Sequence, residues 1–391
     1  MQIDPKTLTG TWSYPTEIRF GPGRIAELAD ACRAAGMAAP LLVTDPGLKD
    51  LPMVQAALTA LGGEGLRVAL FADVQPNPLA QNVADGVAAY RAGGHDGVIG
   101  FGGGSAIDAA KAVALMVGQA RPLGDFEDIG DNWRRAVAAG IAPSVAVPTT
   151  SGTGSEVGRA SVIADAAGGR KRIIFHPRMM PRIVVADPLL TVGLPKGLTA
   201  ATGMDALTHC LEAFFAPFFH PIADGVALGG IRLAFQWLPK ACVDGGDIEA
   251  RAHMMVAASM GATAFQKGLG AVHSISHAVG ALYGTHHGLT NAVVLPYVLR
   301  HNADVLGEKA RTVAQLLGLA KPGFDSFLKA VLKLRKTTGI PNTLADIGVG
   351  EDRAAEIGAL AFDDPTRPGN PKPVSADSLR TIFIAAVRGT I

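Results

Sequence analysis

Hydrophobic residues in the first half of the chain fall in short runs that stop at turn residues, with helically spaced stretches between them. Pro40–Asp45 (P-L-L-V-T-D), Leu66–Phe71 (L-R-V-A-L-F), Gly97–Phe101 (G-V-I-G-F) and Ser144–Val147 (S-V-A-V) read as strands. Val54–Leu61 and Leu79–Ala92 carry amphipathic spacing and read as crossover helices. This alternation is that of a parallel sheet covered on both faces. After Asp187 and Pro188 the strand signals fade. Ala-, Leu- and Met-rich helical patterns then run over Thr199–Phe214, Ala223–Phe235 and Ile248–Phe265. The pattern predicts an α/β, Rossmann-like N-terminal dinucleotide-binding domain over residues 1–190 and an all-helical C-terminal domain over 191–391. The boundary falls near Pro188–Pro195, and Asp363–Pro373 (D-D-P-T-R-P-G-N-P-K-P) reads as an extended loop before a last helix.

Composition narrows the class without naming a chemistry. With 391 residues, 48% of them hydrophobic, the chain can bury a large core. A net charge of +1 gives no reason to expect nucleic acid or a membrane surface. The opening M-Q-I-D-P-K-T-L-T-G has no basic region followed by an apolar one, and no run reaches about 18 apolar residues, so a cytoplasmic protein is expected. Cys32, Cys210 and Cys242 are too few and too scattered for a disulfide framework or a thiolate metal cluster, and read as core residues.

Candidate chemistry concentrates in five places. Asp205 and His209 stand four apart in G-M-D-A-L-T-H-C-L-E, so on a helix they share a face as two preorganised metal ligands. Alone, such a pair is more often an exposed helical pair or a satisfied core contact. The histidine block His273, His277, His286 and His287 lies in an otherwise apolar, Gly-rich stretch, where buried imidazoles need partners and a metal is one. Two Gly-rich loops follow predicted strands: G-F-G-G-G-S-A-I-D-A-A-K (Gly100–Lys111) and P-T-T-S-G-T-G-S-E (Pro148–Glu156). The first can bring backbone amides and a helix N-terminus to an anion, although it matches neither G-x-G-x-x-G nor a Walker A motif. A plain tight turn and a solvated loop remain the alternatives. Asp45, at the end of an early strand, could accept hydrogen bonds from a ribose or simply form a turn before Pro46 and Gly47.

Taken together, D-V-Q-P-N-P, G-G-G-S-A-I-D-A-A-K, P-T-T-S-G-T-G-S-E-V, G-M-D-A-L-T-H, the His273–Gly288 block and N-P-K-P span almost the whole chain and resemble the iron-containing (group III) alcohol dehydrogenases. The resemblance implies metal ligands at Asp205, His209, His273 and His287, and a catalytic His277 near the nicotinamide as a candidate in proton transfer. It implies cofactor contacts at Asp45, Asn77, Gly103, Gly104, Ser105, Thr149, Thr150, Thr153 and Lys171, with the Asp45 carboxylate favouring NAD over NADP. The expected activity is interconversion of a short-chain alcohol with its aldehyde or ketone by a homodimer. A divalent cation polarises the substrate oxygen while hydride passes to nicotinamide C4, the cofactor lying between the two domains with its pyrophosphate on the glycine loop. One carboxylate and three imidazoles suit Fe(II) and also accept Zn(II).

The chain departs from the family where G-R-A-S follows S-E-V, placing Arg159 toward the substrate end, either on an acidic substrate group or in a structural salt bridge. Phe265 and Phe362 are candidate pocket residues. A maleylacetate reductase, a dehydroquinate synthase-type lyase and a metal-dependent hydrolase remain alternatives; the intact metal set weighs against the first, and the nucleotide loops against the last.

Overall fold

The computed structural model describes residues 16–164 and 171–391. The opening M-Q-I-D-P-K-T-L-T-G, and the Gly169 and Arg170 that precede Lys171, lie outside the described residues. The chain divides into two compact units. Of the described residues, one unit holds 16–150 together with 154–193, and the other holds Ser151–Thr153 with Leu194–Ile391.

The first unit runs β1 (Glu17–Phe20), α1 (Leu28–Ala34), β2 (Pro40–Val43), α2 (Pro52–Gly63), β3 (Ala69–Phe71), α3 (Ala80–Ala92), β4 (Gly97–Gly102), α4 (Gly104–Met116), β5 (Ser144–Pro148), β6 (Ala160–Ala164), β7 (Lys171–Phe175) and β8 (Ile183–Ala186). Six strands form one parallel sheet in the order β1-β8-β5-β4-β2-β3, while β6 and β7 make a separate antiparallel pair. The period-two alternation of strand side chains divides the core in two. Leu42, Ile99, Phe101, Val145 and Val147 face α1 and α2. Leu41, Val43 and Val98 point the other way, toward α3 and α4. Burial on both faces is why these strands read as unbroken apolar runs.

Four strands escape the sequence pattern. β1 is a sheet edge of four residues, E-I-R-F, with charges in it and little burial. β8 (I-V-V-A) is fully buried but abuts the helical change of texture. In β6 and β7 the apolar residues are flanked by polar ones, and the pair stands apart from the main sheet.

The second unit is helical: α5 (Lys196–Phe215), α6 (Pro221–Val243), α7 (Ile248–Ala264), α8 (Ala271–Tyr283), α9 (His287–His301), α10 (Ala303–Leu316), α11 (Phe324–Thr338), α12 (Ala354–Asp363) and α13 (Ala376–Arg388). α5 is buried on every side from Thr199 to Phe215, the signature of a central helix. The peripheral α10 buries Leu306, Ala310, Val313 and Ala314, a single stripe at helical spacing. No helix among the described residues is long and apolar enough to cross a membrane.

A buried charge fixes the second Gly-rich loop within the α/β unit. Lys111, enclosed on α4, donates to the carbonyls of Ser155 (2.9 Å) and Ala160 and pairs with Asp108 at 3.2 Å. Burial pulls its pKa down, opposed by Asp108 and Glu156. Asp108 also accepts from Ser155 Oγ (2.5 Å) and from the Val162 amide (2.9 Å), tying α4 to the loop and to β6. Asp108→Ala leaves Lys111 without its main counter-charge, and we expect a loss of roughly 3 kcal/mol. Urea unfolding followed by circular dichroism checks this; a change below about 0.5 kcal/mol, the range of ordinary surface substitutions, would remove the pair from that role.

Candidate metal centre and nucleotide-binding loops

Three helices bring Asp205, His209, His273 and His287 together. Asp205 and His209 project from one face of α5, His273 lies in the first turn of α8, and His287 is the first residue of α9. One candidate ligand atom from each lies within 4.8 Å of all the others. Nε2 of His209 and of His287 stand 3.9 Å and 3.8 Å from Asp205 Oδ1. The approach depends on Gly288. A Cβ there would stand 2.7 Å from the Ala201 carbonyl oxygen and 3.1 Å from Asp205 Cβ, so any side chain would push α9 off α5.

The electrostatics of this group fit a cation. Asp205 is 1% exposed, and the ion-pair partners it has among the described residues are the imidazoles of His209 and His287. A buried carboxylate with no lysine or arginine paired to it lacks a fixed counter-charge. Burial pushes the His209 pKa down to about 4, against the pull of Asp205, so its ring is neutral near pH 7. A neutral imidazole has a lone pair to offer. His209 and His273 stack at 4.7 Å, an arrangement that disfavours charging both rings. The donor set of one carboxylate and three imidazoles is that of a borderline divalent cation.

Partners around the quartet orient it. Glu212, one further turn along the Asp205–His209 face, accepts the Val272 amide on Oε1 (2.8 Å) and faces His273 Nδ1 with Oε2 at 2.5 Å. Because the carboxylate accepts, the proton sits on Nδ1 and His273 Nε2 is left to bind metal. Burial opposes protonation of His273, but Glu212 and Asp205 outweigh it and raise the pKa. Asn291, one turn beyond His287, directs Nδ2 to Asp205 Oδ1 (2.7 Å) and lies 3.1 Å from Nε2 of both His273 and His287. His286 caps α9 through the Leu289 amide, which explains a histidine beside a ligand. His277 is outside the quartet. Its ring stacks on His287 at 5.3 Å, and Nδ1 lies 2.9 Å from Asp364 Oδ2. Phe265 packs its ring 5.1 Å from His209. Phe362 lies under the Arg367 guanidinium at 4.3 Å.

In the α/β unit Asp45, Gly103, Gly104, Ser105, Thr149 and Thr150 gather at the carboxyl ends of the neighbouring parallel strands β2, β4 and β5, whereas Lys171 begins β7 of the separate antiparallel pair. β2 pairs with β4 (Val43↔Gly100), so Asp45 meets the glycine loop despite nearly sixty intervening residues. Gly102 has φ +148°, and a Cβ on it would lie 2.8 Å from Ala106 Cβ and 3.7 Å from Asp45 Oδ2. Asp45 Oδ1 accepts the amides of Gly47 and Leu48, the turn role anticipated for it, and Oδ2 points toward the loop. Burial raises its pKa against these two bonds. Gly103 caps α4, with Gly104 and Ser105 in the first turn, an N-terminus suited to an anion. A Cβ at Gly103 would touch Thr150 at 3.4 Å, and Thr149 donates its amide to the Gly102 carbonyl at 3.0 Å. Asn77 sits in the left-handed region at φ 55°, in a turn whose Pro78 carbonyl accepts the Ala164 amide. Ala164 pairs across the hairpin with Lys171. Thr153 falls in the helical unit, where its neighbour Gly152 packs against Thr202. The Arg159 guanidinium lies 5.5 Å over the Phe175 ring.

Glu212, Asn291 and Asp364 are absent from the residues expected from sequence. The first two carry a usable signal: they stand three and four residues beyond a ligand on the same helix face. Asp364 has none of that kind, because it meets His277 from 87 residues away.

Comparison with known proteins extends over both units. Residues 15–188 match the sequence profile described as iron-containing alcohol dehydrogenase, and residues 199–387 match that of the C-terminal part of the Fe-containing alcohol dehydrogenase family. The chain is 41% identical over 380 residues to 4-hydroxybutyrate dehydrogenase of Cupriavidus necator, covering 95% of this chain and 98% of that protein. It is 34% identical over 371 residues to the NAD-dependent methanol dehydrogenase of Bacillus methanolicus, covering 93% and 96%. A crystal structure of 1,3-propanediol oxidoreductase superposes with a TM-score of 0.91 at 35% identity, covering 96% of this chain and all of that one.

Glu212→Gln keeps the shape of the side chain and weakens its hold on His273. We expect divalent-cation affinity to fall by roughly 10- to 100-fold. Competition against a chromophoric chelator measures this, and unchanged affinity would confine Glu212 to a packing role.

Proposed function

The chain belongs to the iron-containing alcohol dehydrogenase family and is a metal-dependent alcohol dehydrogenase, and from that premise we propose an NAD-linked enzyme that interconverts a primary alcohol and its aldehyde with Fe(II) bound by Asp205, His209, His273 and His287. The observation that carries the reading is the buried Asp205 carboxylate, surrounded by imidazoles and paired with no lysine or arginine among the described residues. A divalent cation supplies the missing charge and polarises a substrate oxygen, and NAD supplies the hydride acceptor. The relatives named above for 4-hydroxybutyrate, methanol and 1,3-propanediol each carry a terminal hydroxyl, which supports a primary alcohol as substrate.

The remaining work falls to the chain's own side chains. Glu212 keeps the His273 proton on Nδ1, and Asn291 holds the Asp205 carboxylate by hydrogen bonding to its Oδ1. Gly103, Gly104 and Ser105 offer the amides of the α4 N-terminus to a pyrophosphate. Thr149, Thr150 and Thr153 offer hydroxyls, Asp45 accepts from the adenosine ribose, and Asn77 and Lys171 complete the cofactor contacts. His277 takes up the proton released as the alcohol is oxidised. The reading includes a cytoplasmic homodimer, which size-exclusion chromatography with light scattering tests.

Purified protein loaded with Fe(II) or Zn(II) should reduce NAD with short primary alcohols, followed at the NADH absorbance band. Absence of turnover across the alcohol panel, together with absence of nucleotide binding, would defeat the reading. His273→Ala should lose bound metal and activity together; retained metal would remove His273 from the ligand set. Asp45→Gly should lower the NAD-over-NADP ratio of kcat/KM by roughly tenfold, the loss of one hydrogen bond to a charged group. An unaltered ratio would take Asp45 out of the ribose site.

A further inference from the structure

The D-D-P-T-R-P-G-N-P-K-P segment has no part in the metal quartet or in the nucleotide loops, yet it is tied down at several points. Asn370 exchanges amide hydrogen bonds with Asn302 at the end of α9, at 2.9 Å and 3.0 Å. Asn370 Oδ1 also faces the Ala271 amide that opens α8, at 3.4 Å. Gly369 lies flat against the preceding turn, where a Cβ would stand 1.9 Å from the Leu269 carbonyl oxygen. At the other end of the segment, Asp364 Oδ1 accepts both the amide (2.9 Å) and the hydroxyl (2.5 Å) of Thr366. Those two bonds leave Oδ2 free to meet His277 Nδ1.

We propose that Asp364 is the positioning residue for His277, fixing its proton on Nδ1 so that Nε2 carries the lone pair, and that the Asp363–Pro373 segment is a strap that holds Asp364 in place. The proposal deepens the dehydrogenase reading and rests on it for the use made of Nε2. A carboxylate oxygen only accepts, so the imidazole facing it must donate from Nδ1. The two rings beside His277 limit its rotation: His287 is stacked on it at 5.3 Å, and His273 meets it edge-on at 6.0 Å. Nε2 makes no hydrogen bond among the described residues. The ring therefore stands against the metal quartet with its acceptor nitrogen available. During alcohol oxidation His277 Nε2 would accept the hydroxyl proton, Asp364 would stabilise the resulting imidazolium, and the proton would then leave to solvent. This is the division of labour between a base and the acid that orients it.

The test uses full-length protein loaded with Zn(II), which is diamagnetic, and 15N-labelled histidine, with the His277 signals assigned from a His277→Gln variant. In the native protein His277 Nδ1 should be protonated and Nε2 should not. In Asp364→Asn the amide can donate to Nδ1, and the proton should move to Nε2 in part or in full. Zn(II) affinity should stay within threefold and kcat should fall roughly 10²- to 10⁴-fold with KM little changed. Thr366→Val, a milder change that removes one bond to Oδ1, should give a smaller loss of the same kind. It also keeps the question answerable if the Asn variant fails to fold. An unchanged tautomer in folded Asp364→Asn, or kcat within twofold of native in either folded variant, overturns the assignment. Failure of the wild-type enzyme to reduce NAD would defeat the dehydrogenase reading instead, and the tautomer could still be measured.

Discussion

A carboxylate enclosed in an apolar helical core is the constraint from which the second unit can be understood. Asp205 is costly to keep charged where water cannot reach it, and the chain offers it imidazoles and an amide instead of a cationic side chain. Each helix that contributes a ligand is tightly specified at that point. α9 meets α5 only because Gly288 has no side chain, and α8 enters with its first turn clamped by Glu212. The hydrophobic packing of Leu207, Leu211, Ile275 and Val294 holds these helices together. It does not by itself decide which faces meet; the polar cluster does, since a rotation of any one helix would leave a buried charge or donor without its partner.

In the first unit, strand order performs the equivalent task. The carboxylate precedes the glycine loop in the chain, the reverse of the usual dinucleotide order, and in sequence this looks like an obstacle. Parallel pairing of β2 with β4 removes it by setting Asp45 beside Gly102 at the same end of the sheet. The buried Lys111–Asp108 pair then links the helix that follows the first loop to the second loop. Both loops are thus anchored to the sheet at their strand ends, although their composition suggests flexible surface.

What could be read in advance follows from the range of the interactions. Strands buried on both faces and the central helices announce themselves through local periodicity, so β2 to β5 and α5 to α7 fall close to where the pattern puts them. β1 is a largely exposed edge carrying two charges, and β8 runs straight into the change to helical texture, so neither stands out as a strand in the sequence. The ligand pair Asp205 and His209 is visible because both lie on one helix, and the histidine block because it is dense. The concentration of ligand types suggests joining the two in one site, and the family resemblance picks out which four residues are ligands, since no spacing rule connects α5 with α8 across some sixty residues. The orienting residues divide in the same way. Glu212 and Asn291 continue ligand-bearing faces, whereas Asp364 belongs to a loop whose purpose is visible only when His277 lies against it.

Cys210 adjoins His209 in the chain, but the helical advance of about 100° per residue turns it to another face of α5. Its sulfur packs toward α6 and α7, where a Cβ at Gly230 would come within 2.5 Å of it, and burial pushes the thiol pKa up to about 12. Under the proposed Fe(II) occupancy, the Cys210 thiol would therefore offer no thiolate to trap an oxidant as a sulfenic acid. Oxidative injury would fall on the imidazoles and the ion themselves, and would be felt as metal loss, beyond the reach of thiol reductants.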